Sequence, residues 1–246
     1  MPHYWLIHLG NPTLILRQTI LILLFLLGFS ALCGLGVWKL KRAELKTERY
    51  ALFTERLKSA RVEMSELVSA SDVTWRPVIL TGTYLGINVL LDNRVLNTKA
   101  GYEVFSLFDI KEYGTVLINR GWSSNGGDRS ILPKLPLPRG EVNLSGYFGP
   151  IPASGITFHE SVSNIERLSA QNFRVQHINW SEIGAVLEGV SLKPFIIYID
   201  AGGPGALKIE RKTPGSGADK HQAYAVQWFC MAIVLAIIGL INFRRR

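Results

Sequence analysis

The sequence predicts a membrane protein with two transmembrane helices flanking a β-rich extramembrane domain, α+β in class, built as an antiparallel sandwich or small barrel. Three observations carry this reading. Two uncharged apolar runs, "TILILLFLLGFSALCGLGVW" (19–38) and "AYAVQWFCMAIVLAIIGLINF" (223–243), stand towards the two ends of a 246-residue chain. Between them, β-branched and aromatic runs alternate with turn residues at short intervals. The basic residues behind the net charge of +8 gather beside the apolar runs, where membrane proteins place them.

In chain order, residues 1–18 form a tail, and residues 19–38 make a helix of roughly 30 Å, the hydrocarbon thickness of a bilayer. A cleaved signal is the competing reading. "SALC" (30–33) resembles a lipoprotein site, but Leu32 is bulky where a small residue is needed, so the run is read as retained. Residues 39–70, rich in Leu, Ala, Glu, Lys and Arg without Gly or Pro, continue as a helical stem. Strands are expected at 75–84, 88–94, 102–110, 115–122 and 141–149, their short separations favouring antiparallel meanders. The Gly- then Pro-rich residues 123–140 read as a lid or a long surface connection. "NFRVQHINW" (172–180) is a strand leading into a short helix over 181–189. Ser181 is its expected N-cap, without a capping-box Glu three residues on. A strand over 194–201, a flexible return over 202–220, the second span at 223–243 and a basic tail at 244–246 complete the chain. Residues 39–222 form the extramembrane domain, and no internal repeat is visible.

The flanking charges disagree about orientation and, counted near both spans, favour a cytoplasmic central domain. Arg244, Arg245 and Arg246 argue for a cytoplasmic C-terminus, whereas Lys39, Lys41, Arg42, Lys46 and Arg49 argue for a cytoplasmic central domain. The only cysteines, Cys33 and Cys230, lie inside the spans, so the central domain suits either redox compartment. The basic patches lack the interleaved aromatics of a single-strand groove, and no nucleic-acid partner is expected.

The sequence offers little for catalysis. Gly-rich phosphate loops, nucleophile elbows, paired histidines at helical spacing, paired cysteines and C-x-x-C-H are all absent. His159 and Glu160 are adjacent in an extended segment and so point to opposite faces. "INRGW" places Arg120 and Trp122 at a strand exit. Arg120 is read either as a carboxylate receptor or as a structural fork on carbonyls, with Gly121 supplying unusual backbone angles and Trp122 packing on the core. The uniformly apolar run up to Asn119 favours the structural reading.

Several blocks, in order, carry a family resemblance: Leu35-Gly36-Val37-Trp38 followed by Arg42, "WRPVILTGTY" (75–84), Arg94, Gly101-Tyr102-Glu103-Val104, "VLINRGW" (116–122), and His221 with "YAVQWF" opening the second span. In these the chain resembles the surfeit locus protein 1 family, cytochrome c oxidase assembly factors of bacterial and mitochondrial inner membranes, over nearly its whole length. It departs at Lys39, where Gln is usual, at Leu45, where an aromatic is common, and at Ser123 and Ser124.

The resemblance implies a non-enzymatic assembly factor that helps haem a insertion, or stabilises the haem-bearing oxidase subunit, with its central domain periplasmic, or in the intermembrane space of a mitochondrion. The partners implied are that subunit and haem a biosynthesis enzymes. A membrane-anchored solute-binding or scaffold domain is the alternative. The expected cofactor-binding residues are His221 as haem-iron ligand, Trp38, Arg42, Tyr224 and Trp228. Arg94, Gly101, Tyr102, Asn119, Arg120, Gly121 and Trp122 are expected to be structural or recognition residues. On a helix starting near Lys220, positions 221, 224, 225 and 228 share a face, which suits either a flat macrocycle or an interfacial aromatic belt. Gly34 and Gly36 allow close approach of the two spans, bringing Trp38 towards the second.

Overall fold

Strand alternation in the central segment builds a closed ring. In the computed structural model, which describes residues 12–64, 72–126, 131–153, 164–187, 189–211 and 213–245, β2 (Pro77–Leu96) pairs antiparallel with β3 (Lys99–Ile110). β3 pairs antiparallel with β4 (Gly114–Ser124), and β4 parallel with β8 (Leu192–Ile199). β8 pairs antiparallel with β5 (Glu141–Gly149), which returns antiparallel to β2. The small barrel is therefore present, with mixed rather than purely antiparallel pairing. β1 (Val62–Glu63) and β7 (Asn172–Val175) also run parallel to β2, and β6 (Ile165–Arg167) pairs with β7.

β2 closes the ring because it bends. Residues 77–83 pair with β5 and residues 83–96 with β3. The register shifts between Tyr84 and Asn88, where Gly86 has φ +77°. The two strands expected at 75–84 and 88–94 are thus one strand kinked at a glycine. Side chains two apart point the same way. Val78, Leu80, Phe108, Ile110, Val116, Ile118, Leu144, Phe148, Ile197 and Ile199, drawn from every ring strand, form the inner core. Val89, Leu91, Phe105, Leu107, Leu117, Ile196 and Tyr198 form a second cluster, covered by Phe173 and Val175 of β7 and by Ile183 of α2 (Trp180–Val186).

Four local readings are corrected. The stem is helical only to Leu57, the end of α1 (Pro12–Leu57). Lys58 N and Ser59 N close tight turns on Glu55 and Arg56, and Val62 and Met64 are drawn into the barrel's sheet and core. Residues 65–71 lie outside the described residues. Helix α2 is capped by Asn179, whose Oδ1 accepts from Ser181 N (3.1 Å) and Glu182 N (3.3 Å), while its Nδ2 donates to Glu182 Oε1 (2.8 Å). With the cap two residues earlier than expected, Glu182 occupies the capping-box position. β7 stops at Val175 because Gln176 N and His177 N turn to Asn164 Oδ1. Of the 123–140 segment, β4 takes residues to Ser124, and Leu132, Leu135 and Leu137 pack on the cores, making a strap. His159 and Glu160 lie outside the described residues.

The chain divides into two compact units, Phe53–Lys212 holding the barrel and Met1–Leu52 with Thr213–Arg246 holding two long apolar helices. In the latter, α3 (Ala218–Arg244) runs antiparallel to α1, since Phe25 meets Gly239, Gly28 meets Leu235 and Gly36 meets Phe229. A Cβ at position 36 would lie 2.7 Å from the Phe229 ring. Ala225, Ala232 and Gly239 recur every seventh residue on α3, as do Gly36 and Ala43 on α1. Small residues at that spacing let the backbones approach. Gly34 has nothing within 4 Å of such a Cβ, so of Gly34 and Gly36 it is Gly36 that serves the contact. Ile20, Leu24, Leu27, Ile233 and Ile237 stay exposed around the pair, as lipid-facing side chains do.

Candidate functional site

Beyond Gly36 the α1 face towards α3 carries Lys39, Ala43 and Lys46, at the spacing of one helix side. Ala43 is buried, and Lys46 Nζ donates to Ser216 O at 3.0 Å. Lys39 Nζ lies 4.7 Å from the Trp38 ring centroid and 5.1 Å from that of Tyr224, tying the flanks of the two helices together through cation–π contact. His221 stands one turn before Ala225, partly enclosed. Its Nδ1 is shielded and has no hydrogen-bond partner among the described residues, and the positive charges of Lys46, Lys39 and Arg42 act on it.

The four-residue face expected at 221, 224, 225 and 228 is therefore split. Ala225 is fully buried, which closes the space between the helices to a flat ligand. Tyr224 (50% exposed) and Trp38 (55% exposed) face outwards on one flank, with Lys39 between their rings. Arg42 is exposed and Trp228 half-buried. An imidazole, two accessible aromatic rings and an exposed guanidinium suit a flat anionic ligand held on the flank, not inserted in the seam.

The barrel residues take another role. Arg120 points into the ring and is fully buried. Its Nε donates to Gly205 O (2.6 Å), Nη1 to Ser106 Oγ (3.2 Å) and Asn88 Oδ1 (3.5 Å), and Nη2 to Pro136 O. Burial pulls its pKa below the ordinary arginine value, with Tyr84 acting in the opposite direction. It fastens the strap and the 204–205 turn to the barrel, and its full burial keeps it out of contact with solvent. Gly121, at φ +107°, allows Trp122 N to donate to Lys208 O (2.7 Å), and a Cβ there would lie 2.6 Å from that oxygen. Trp122 Nε1 donates to Arg94 O (3.0 Å), and a Cβ on Gly101 would strike the indole. Tyr102 is buried with Leu90 and Val104.

Asn119 Nδ2 donates to Glu103 Oε1 (2.7 Å), and Glu103 Oε2 lies 3.5 Å from Arg94 Nε. Two members of this network were not expected. Glu103 sits in the quoted Gly101–Val104 block, and its charge in an otherwise apolar strand was the available signal. Arg211 lies in a stretch read as a flexible return, yet Leu207 N donates to Arg120 O, and Arg211 reaches Ile199 O (2.9 Å) and Asn119 O (3.0 Å). Its guanidinium also stacks 4.8 Å from the Tyr198 ring.

A model of the SURF1 family matches residues 26–233, from the middle of α1 into α3, taking in both helices and the barrel. The chain belongs to the SURF1 family. Members of this family are known for cytochrome oxidase assembly. An uncharacterised SURF1-like protein of Mycobacterium tuberculosis is 29% identical over 229 residues, covering 88% of this chain and 80% of that one. A SURF1-like protein of Rickettsia conorii is 26% identical over 235 residues, covering 91% and 90%. With two long apolar helices and this membership, the chain is a membrane protein.

Proposed function

We propose that this SURF1-family chain is a non-enzymatic assembly factor for a haem-copper cytochrome c oxidase, acting on the haem-bearing subunit in the bacterial inner membrane with its barrel on the periplasmic side. In a eukaryote the same arrangement places it in the mitochondrial inner membrane. Haem a is its cargo, held transiently, and enzymes that make haem a are the donors it would meet. The observation that carries the reading is His221, a partly exposed helix-end imidazole, on the same helix pair as the outward-facing Trp38 and Tyr224 rings and the exposed Arg42.

Haem a brings an iron that accepts an imidazole nitrogen and propionates that accept cations. His221 supplies the nitrogen, Arg42 the charge for a propionate, and Trp38, Tyr224 and the half-buried Trp228 the apolar ring surface. The reading assigns the barrel no reacting group. Deleting the gene should lower the haem a absorbance of membranes while the oxidase polypeptides are still made. Normal haem a absorbance with full oxidase activity would overturn the proposal.

A further inference from the structure

Four cations on α1 form a stripe, of which the cargo site uses only Arg42. Lys39, Arg42, Lys46 and Arg49 are spaced three, four and three residues apart, which places them on an arc of about 80° of one helix side. The acids of this stretch, Glu44 and Glu48, fall roughly opposite, and Asp219 on α3 is exposed two residues before His221. Among the described residues none of the four cations has a carboxylate partner. Lys46 spends one donor on Ser216 O, and Lys39 lies over the Trp38 and Tyr224 rings.

The stripe begins at the residue after Trp38, where the uncharged run ends, and rises about 15 Å to Arg49. Side chains of an α-helix lean towards its N-terminus. Because α1 leaves the bilayer in the N-to-C direction, all four lean back towards the membrane surface. A headgroup layer is about 5–8 Å deep on each side, so Lys39 and Arg42 lie within it, and Lys46 and Arg49 stand over it within about a Debye length. Small-anion sites need donors that converge on one point. These cations form a line that ends on an aromatic pair of the kind found at bilayer interfaces.

We propose that the Lys39–Arg42–Lys46–Arg49 stripe, with Trp38 and Tyr224 at its foot, binds the phosphate groups of anionic phospholipids at the surface where α1 leaves the membrane. This site does not depend on haem being the cargo. With the barrel on the periplasmic side, as proposed above, it also accounts for basic residues on a side where the distribution of charge alone would not place them, because bound anionic lipid neutralises them.

The test uses the full-length protein made without haem a and purified in an uncharged detergent. Binding of phosphatidylglycerol and of phosphatidylcholine with identical chains is measured by native mass spectrometry from low salt. Phosphatidylglycerol should bind more tightly. Arg49→Gln should weaken it about five-fold, and the Lys46→Gln/Arg49→Gln pair further, with phosphatidylcholine unchanged. Lys41→Gln, which removes the same charge from another helix side, should leave the preference intact. Equal binding of the two lipids, or an equal loss in Lys41→Gln, overturns the proposal. Displacement of phosphatidylglycerol by inorganic phosphate would show a small-anion site, and displacement by polyglutamate a surface for acidic protein. Either result overturns the lipid assignment. Arg49 is exposed and makes no side-chain hydrogen bond or ion pair among the described residues, so its variant alone decides the outcome if the pair fails to fold.

Discussion

Arg120 shows why the "INRGW" block is read by its surroundings and not by its charge. A guanidinium enclosed in the barrel with only carbonyl, hydroxyl and amide partners has to satisfy its donors there, and it does so on three separate segments. Arg120→Met should leave the Gly205 and Pro136 carbonyls without that donor and destabilise the barrel by about 3 kcal/mol, read from urea unfolding of the detergent-solubilised protein. A variant as stable as wild type would show that the fork is dispensable. The tyrosines set the alkaline limit. Burial raises Tyr84 to about 12, and it raises Tyr147 and Tyr198 as well. Folding therefore favours the neutral phenols, a contribution complete below the unfolded value of about 10 and lost as pH rises through the folded values. Phenolate absorbance should show these three ionising late and together with unfolding, and Tyr84→Phe should remove one such step. Ionisation of all the tyrosines near pH 10 in a folded barrel would contradict the packing.

At the scale of elements, what the sequence made legible was whatever follows from periodicity. Two uncharged runs of bilayer length and a series of alternating strands were enough to place both helices and the barrel. Features decided by tertiary contact were not legible. Nothing local stops α1 at Leu57, where Val62 and Met64 are recruited to the sheet. The bend at Gly86 reads as a break between two strands. The cap at Asn179 appears only once the strand before it is seen to end early. Among glycines of the first span, Gly36 and Gly34 look alike in sequence, yet one faces the Phe229 ring and the other faces open space. Gly36→Leu should push the helices apart and lower the haem a content of membranes, while the urea midpoint of the barrel stays unchanged. Gly34→Leu should leave both values at wild type. Equal effects of the two substitutions would refute the seam.

Across the whole molecule, the candidate site was only partly legible. His221, Trp38, Arg42 and Tyr224 were picked out as residues, but helical spacing suggested a single face that Ala225 closes, and the flank bridged by Lys39 could not be read without the partner helix. Glu103 and Arg211 were missed for a similar reason, since the network joins strands and a loop distant in sequence. The family blocks in the barrel prove to be fasteners, and the groups free to meet a ligand lie on the helix pair. The proposed role of His221 on this pair is to hold haem a on its way to the oxidase. Its most direct measurement is the haem a content and Soret band of the wild-type protein and His221→Ala, purified side by side from cells that make haem a. Haem should be bound in wild type and lost in the variant; equal haem with an unchanged Soret band would contradict the proposed role of His221.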